Sequence, residues 1–411
     1  MISYLDALDL VEAQANIQVI GKCQTLESLE RIIAEDLFSP IALPSFDNSA
    51  MDGFALRAAD TTAASPDSLI KLQITEIIQA KASEQKTAPD QVNICCEIMT
   101  GAPIPIGYDA VIPIEQVQFY EENGVKFILI DKPIALHNNV RFSGEDVMQG
   151  ALLLKRGQQV QPNDIMLLAS LGIYQINVFA KISLAIATTG EEISDDYTKA
   201  LKHGEIYNSN APLLMNLAHD NFMSARYAGI LRDNKRTLLE FIQTSPEQIL
   251  ITTGAVSKGK WDFIPDTLRE LGAQIIFHSV AIRPGKPVLF ARLRDGRFFF
   301  GLPGNPVSSM VGWRFFVIPL LRKILAKERE QIFKLCLTAD FKKKHNLRQF
   351  LKACLIINDG VASCEISNHQ ESFKIHALTT NDLWVIALEN DYVISAGELI
   401  AALPMYANFA K

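Results

Sequence analysis

Between Ile182 and Leu325 the chain alternates short apolar runs with helical patterns, and that rhythm leaves few folds open. ISLAIA, ARYAGIL, ILITT and IIFHSVAI are strands too short and too uniformly apolar to face water. PLLMNLAHD, KRTLLEFIQ and DFIPDTLRELG lie between them with helical spacing. Strand and helix in alternation imply a parallel sheet covered on both faces. VLFARLRDGRFFFGL adds a hairpin about Asp295-Gly296, and a long helix follows Asn305-Pro306.

The flanks read differently. Leu5, Leu8 and Val11 have helical spacing, and Ser28 is placed to cap a helix through Leu29, Ile32, Ile33 and Leu37. Pro40 and Pro44 end that pattern, and Ser45 to Ala59 reads as an ordered loop or short strands. KLQITEII, QVNICCEIM, DAVIPIEQV and GVKFILI suggest a small β domain. A helix near Asn163 to Leu171 stops at Gly172. After Lys327, LKACLII, GVASCEI, LWVIAL and LIAAL suggest a small barrel or sandwich. The fold class is therefore multidomain α/β plus β. Domains are expected at 1–45 with 140–178 (linking), 46–139 (β-rich), 179–327 (α/β) and 328–411 (C-terminal β barrel).

Composition excludes some functions. A net charge of −7 gives no reason to expect nucleic acid as a partner. The apolar run from Phe315 to Leu321 contains Pro319 and is flanked by Arg314 and Arg322, so no membrane span is expected. The opening segment, with Asp6, Asp9 and Glu12, is unlike a signal peptide. The 6 cysteines lack zinc or redox spacing and read as reduced thiols, which fits a cytoplasmic location.

In an open α/β sheet, ligands bind beyond the carboxyl ends of the strands. Four loops there are unusual: Thr188 to Glu192, Gly254 to Asp262, Arg283 to Pro287, and Leu302 to Pro306 with Ser308 and Ser309 next. Glycines allow close backbone approach, and clustered N–H groups attract phosphate. Lys258, Lys260, Arg283 and Lys286 add positive charge, while Thr188, Thr189, Ser257 and Ser308 add hydroxyls. Any single loop also reads as an ordinary turn. Together they suggest a phosphate or oxyanion site. No GxxxxGK[ST] or GxGxxG occurs, so those phosphate-binding devices are excluded. Glu192, Asp233 and Asp262 share these loops, and carboxylates beside phosphate commonly hold Mg²⁺. Asp262 also reads as a helix cap.

Seven segments in order resemble the molybdopterin molybdenumtransferase family, which includes the C-terminal part of gephyrin. They are DNSAMDGFA at Asp47, MTGAPIP at Met99, RFSGEDV at Arg141, TTGEEI at Thr188, IYNSN at Ile206, RPGKP at Arg283 and LPGNPVS at Leu302. The resemblance spans nearly the whole chain. It implies an elongated four-domain homodimer whose α/β domain is similar to the molybdopterin adenylyltransferases. It implies insertion of molybdate into adenylated molybdopterin with release of AMP, assisted by Mg²⁺. The site would lie between the α/β domain of one subunit and the β-rich domain of the other.

On that basis Asp52, Thr100, Asp146, Glu192 and Asp262 are candidate catalytic residues, with Glu192 and Asp262 as metal ligands. Thr189, Gly190, Asp233, Gly254, Ser257, Arg283, Pro284, Lys286, Gly304, Asn305 and Ser308 are candidate substrate contacts. Molybdopterin adenylyltransferase and molybdoenzyme maturation factors are implied as partners. The chain departs from the family pattern at Ala255, where a second glycine is usual, and at Ser279 and Arg283, where lysines are usual. A non-catalytic cofactor-binding or scaffold relative, an adenylating enzyme and a tungstate-preferring enzyme remain alternatives.

Overall fold

A computed structural model describes residues 1–15, 19–82, 84–219, 222–255 and 263–407. It divides into two compact units, each described by itself. One comprises Met1–Glu35, Lys155–Met166 and Tyr174–Lys411, and the other Asp36–Leu154 and Leu167–Ile173.

The first unit is built on a six-stranded sheet: β1 (Ile182–Thr189), β2 (Met223–Leu231), β3 (Ile249–Thr253), β4 (Gln274–His278), β5 (Leu289–Arg292) and β6 (Phe298–Leu302). Its spatial order is β2-β1-β3-β6-β5-β4. The first four strands in that order are parallel, as the alternation requires. Successive residues of β1 serve opposite faces. Leu184 and Ile186 pack with Ile249, Ile251, Phe298 and Phe300. Ala185 and Ala187 pack with Leu238, Phe241, Leu250 and Leu268. Helices α1 (Asn210–Leu217) and α4 (Pro306–Gly312) feed the first face, and α2 (Lys235–Thr244) and α3 (Ile264–Glu270) the second. The N-terminal helix Tyr4–Ala13 also joins the first face through Tyr4, Ala7, Leu8 and Val11, while Leu5 is exposed.

Three expectations change here. The hairpin at Asp295-Gly296 is present, but β5 runs antiparallel to both its neighbours, β6 and β4, so the sheet is mixed. The strand expected to run from Ile275 through Ile282 ends at His278. Ser279 then turns the chain with φ 75°, and Ile282–Arg283 pairs with Arg348 and Gln349 outside the sheet. The Arg283 to Pro287 loop therefore does not follow a strand of this sheet. The helix expected after Ser28 is also absent. Ser28 Oγ donates back to the Thr25 carbonyl at 2.6 Å instead of capping forward, and Glu30 has φ 61°. One short turn, Thr25–Glu27, is all that forms.

The C-terminal strands Phe333–Leu337, Arg348–Asn358, Val361–Ile366, Leu383–Ala387 and Leu399–Pro404 close into a five-stranded barrel. Leu337, Leu351, Cys364, Val385 and Ala402 fill it.

The second unit centres on another six-stranded sheet. Cys95 and Cys96, adjacent on Ile94–Ile98, enter different cores on opposite faces. Burial pushes the Cys96 thiol up to about 12 and Cys95 upward as well, so both are packing groups. All six cysteines are free. Among the described residues no helix is long and apolar enough to cross a membrane.

Candidate functional site

The carboxyl ends of β1, β2, β3 and β6 converge on one cleft of about 490 Å³. Thr189, Gly190 and Glu192 enter from β1, Asp233 from beyond β2, Gly254 from β3, and Gly304 with Asn305 from β6. Close backbone approach holds the loops together. Gly254 N donates to Leu302 O at 2.9 Å. A methyl group on Gly254 would sit 2.5 Å from Thr189 Oγ1 and 2.7 Å from Thr189 O. Asn210, at the start of α1, donates to Gly304 O at 2.7 Å. The glycines thus bring β1, β3 and β6 into one rim. The Gly254 amide itself is spent on that rim rather than left for an anion.

The electrostatics are one-sided. Among the described residues that line the cleft, Glu192 and Asp233 are charged, and no lysine or arginine is present. Burial, followed by the charges of Glu192 and Glu191, raises the Asp233 carboxyl above its usual 3.8. Three buried polar atoms here, Asp233 Oδ1, Asn210 Oδ1 and Thr253 Oγ1, have no hydrogen-bond partner among the described residues. Such atoms are rare in a finished interior and mark places where a ligand, ion or water completes the bonding. Among the described residues no group of three His, Cys, Asp or Glu is placed for metal binding.

The remaining strand-end candidates sit elsewhere. Arg283 is exposed, and its guanidinium lies against His345. Lys286 is exposed too, while Pro287 rather than Pro284 lines the cleft. Ser308 is buried within α4, and a methyl on Gly285 would lie 3.5 Å from its carbonyl oxygen. Thr189 Oγ1 donates to Thr253 O at 3.2 Å. Ser257 and Asp262, with Lys258 and Lys260, lie outside the described residues. Ala255 has φ 49°, the left-handed backbone that a glycine would adopt without strain.

In the second unit three motif segments assemble. Asn48 and Ser49 pair with Arg141 and Val140. Ser49 N donates to Ala102 O at 3.0 Å, and Asp47 Oδ1 accepts from Ser143 N at 2.8 Å. Asp52 accepts from Thr100 twice, from N at 2.6 Å and from Oγ1 at 2.9 Å. The backbone bond first, then the hydroxyl, hold its carboxyl below the usual carboxylate value. Asp52 and Thr100 are thus brought together. Asp146 is exposed on the neighbouring segment, and no hydrogen bond joins its carboxylate to that pair among the described residues. A cavity of about 940 Å³ opens beside these segments, lined by Asp47, Gly101, His137 and Phe142 among others.

Sequence reasoning missed a polar network on the rim of the first cleft. Tyr227 OH donates to Asp195 Oδ2 at 2.7 Å. Asn208 Nδ2 reaches Asp195 Oδ1 at 2.8 Å and Tyr227 OH at 2.9 Å, and Asn208 Oδ1 caps α1 at Ala211 N. Burial raises the Tyr227 hydroxyl pKa, and it stays protonated. Ser372, from a barrel loop, accepts from Asn305 at 3.1 Å. The IYNSN motif was the available signal for Asn208. Nothing in the sequence marked Tyr227 or Ser372, because their partners are distant in the chain.

Residues 2–172 match the MoeA N-terminal region (domain I and II), and residues 185–323 match a probable molybdopterin binding domain. A Synechococcus elongatus protein named molybdopterin molybdenumtransferase is 35% identical, over 97% of this chain and 98% of its own. A Bacillus subtilis protein of the same name is 35% identical over 88% of this chain and 84% of its own. The solved structure of a molybdopterin biosynthesis moeA protein from Pyrococcus horikoshii superposes with a TM-score of 0.84 at 29% identity, covering 99% of this chain and 100% of that one.

Proposed function

The chain belongs to the molybdopterin molybdenumtransferase family, and we propose that adenylated molybdopterin binds in the strand-end cleft of the α/β domain. The enzyme is a transferase of molybdenum cofactor biosynthesis that inserts molybdenum into molybdopterin. The observation that carries the assignment of the cleft is the convergence of four strand ends on three buried polar atoms that have no partner among the described residues.

The donor set fits a divalent cation. Asp233 carries a buried oxygen with no partner among the described residues, and its proton affinity is raised by burial and, in part, by Glu192. A carboxylate raised by burial and by a neighbouring carboxylate is relieved by a cation bound between them. Glu192 and Asp233 would hold Mg²⁺, with Asp262 as a further candidate ligand. When bound, Mg²⁺ would neutralise the phosphate charge that develops as the diphosphate is cleaved. The chain's own residues do the rest. The Gly254 and Gly304 loops bring the backbone close to the substrate, and Asn305 and Asn210 offer hydrogen bonds at the rim. Arg283 and Lys286 supply positive field from nearby rather than direct contact.

Asp52 with Thr100, and Asp146, would serve the oxyanion. Molybdate must lose oxide to accept two sulfurs, and that loss needs protons delivered to oxygen. The low pKa of Asp52 keeps it an acceptor, so Asp52 orients protons carried by water or by the Thr100 hydroxyl. Homodimerisation, a cytoplasmic location, and partnership with molybdopterin adenylyltransferase and molybdoenzyme maturation factors belong to the same reading. So does the division into domains at 1–45 with 140–178, 46–139, 179–327 and 328–411. Sedimentation tests the first of these, where a monomer at micromolar concentration would end the dimer proposal.

The direct experiment follows AMP release from adenylated molybdopterin with Mg²⁺ and molybdate. Glu192→Gln should slow release roughly a hundredfold, the scale for loss of one electrostatic group at a reacting phosphate, with an unchanged melting temperature. Unchanged turnover would remove Glu192 from the site.

A further inference from the structure

Between β1 and α1 the chain makes an excursion, residues 190–209, that is folded on itself. Ile193–Ser194 pairs with Ile206–Tyr207, and the arm is locked to the sheet through Asp195, Asn208 and Tyr227. Its outer surface carries two tyrosines. Their ring centroids are 5.8 Å apart with planes 32° from parallel. Both hydroxyls are tied to main-chain oxygens: Tyr197 OH donates to Asn208 O at 2.7 Å and Tyr207 OH to Lys199 O at 2.5 Å. Yet Tyr197 is 56% exposed and Tyr207 38% exposed, and Tyr207 lines the cleft.

An exposed tyrosine on a loop is normally free to turn. Here the rotation is stopped at both ends, by the arm's backbone and by the hydroxyl bond, while much of the ring surface faces solvent. If the pair served only to fold the arm, packing would have covered it, and the arm already has its polar lock. A rigid, solvent-facing aromatic surface on the wall of a ligand cleft has a low entropic cost of ordering and favours offset stacking with planar π systems. Neither hydroxyl is available for acid or base chemistry, which leaves the ring face as the part that meets a ligand.

We propose that Tyr207, backed by Tyr197, is the ledge on which a planar heteroaromatic ring of the substrate stacks, making it a specificity-determining residue of the cleft. The inference rests on the reading of that cleft as the substrate site. The substrate carries two such rings, adenine and pterin. The chemistry of recognition is common to both, and separate probes tell them apart.

The test uses the full-length protein with Mg²⁺ and calorimetric titration of AMP, ribose 5-phosphate and pterin-6-carboxylate. The wild type should bind AMP, the pterin or both. Tyr207→Leu, which keeps an apolar side chain, should weaken the stacked ligand about tenfold and leave ribose 5-phosphate unchanged. Loss confined to AMP assigns the ledge to adenine, and loss confined to the pterin assigns it to that ring. Tyr207→Phe should bind within a few-fold of wild type, because the ring remains, and it separates stacking from any role of the hydroxyl. Equal weakening of ribose 5-phosphate by Tyr207→Leu, or no weakening of either ring, overturns the ledge and leaves the cleft assignment standing. Failure of the wild type to bind any of the three overturns both.

Discussion

Replacing Gly254 by alanine tests whether the cleft rim depends on close backbone approach. Gly254 has φ +98°, and a Cβ there would lie 2.5 Å from Thr189 Oγ1 and 2.7 Å from Thr189 O. The hydroxyl can rotate away, but the carbonyl belongs to the end of β1 and moves only with the strand. An L side chain at positive φ costs roughly 1–2 kcal/mol. Overpacking against fixed backbone adds about 1–3 kcal/mol. The lower entropy of the unfolded alanine chain returns about 0.4–1 kcal/mol. The net loss should be about 2–4 kcal/mol. Gly304 supplies the control. It also lies in the rim, but among the described residues a Cβ there meets only Gly254 Cα, at an ordinary 3.6 Å. Gly304→Ala should therefore stay within about 0.5 kcal/mol of wild type. Urea denaturation followed by circular dichroism measures both. Hydrogen exchange at the Thr188 and Thr189 amides reports whether the loss begins where β1 meets β3. Equal effects of the two substitutions would refute the argument, since backbone crowding would then not distinguish them.

Two further outcomes concern protons. Asp233 has its carboxyl raised above 3.8 by burial and by Glu192 and Glu191, so the folded state favours its protonated form. The associated stability is fully present below the unfolded value and is lost as pH rises through the folded value. Asp233→Asn in chelator should thus be more stable than wild type at neutral pH, with the difference disappearing toward pH 4. A difference independent of pH in urea melts would refute it. Asp52 is the opposite case, lowered first by the Thr100 amide and then by its hydroxyl. Its contribution is present above the unfolded value and is lost as pH falls through the folded one. Thr100→Val keeps the amide bond, so a carboxyl ¹³C titration should show the Asp52 pKa rising only part of the way to normal. An unmoved value would mean that the hydroxyl bond contributes nothing.

The periodicity of the sequence was enough for the α/β core because its central strands, β1, β3 and β6, are buried on both faces, which forces the uninterrupted apolar runs seen in ISLAIA and ILITT. The barrel strands were readable from their short, β-branched apolar runs. Pattern failed where a local hydrogen bond decided the outcome. Ser28 has the composition of a helix cap, but its hydroxyl turns back to Thr25 O. Ser279, at φ 75°, separates β4 from Ile282, although the letters IIFHSVAI contain no break. The site divided along the same line. Glycine-rich loops announced the rim, whereas Tyr227, Asp195 and Ser372 act through partners 13 to 67 positions away, which no spacing rule reaches.

The charge of the cleft links these observations. Phosphate binding was expected from lysines and arginines in the loops, yet Arg283 is drawn out by the pairing of Ile282–Arg283 with the barrel strand and occupied by His345. What faces the cleft among the described residues is Glu192 and Asp233. A carboxylate beside another carboxylate in a partly desolvated cleft holds its proton more tightly. The Asp233 carboxyl is raised above 3.8 first by burial and then by the charges of Glu192 and Glu191, and a cation bound there would favour its ionised form. An anionic substrate entering this cleft meets repulsion unless the carboxylates are neutralised beforehand. The carboxylates of the cleft therefore make phosphate binding conditional, and among the described lining residues backbone glycines rather than lysines or arginines set the shape into which it fits.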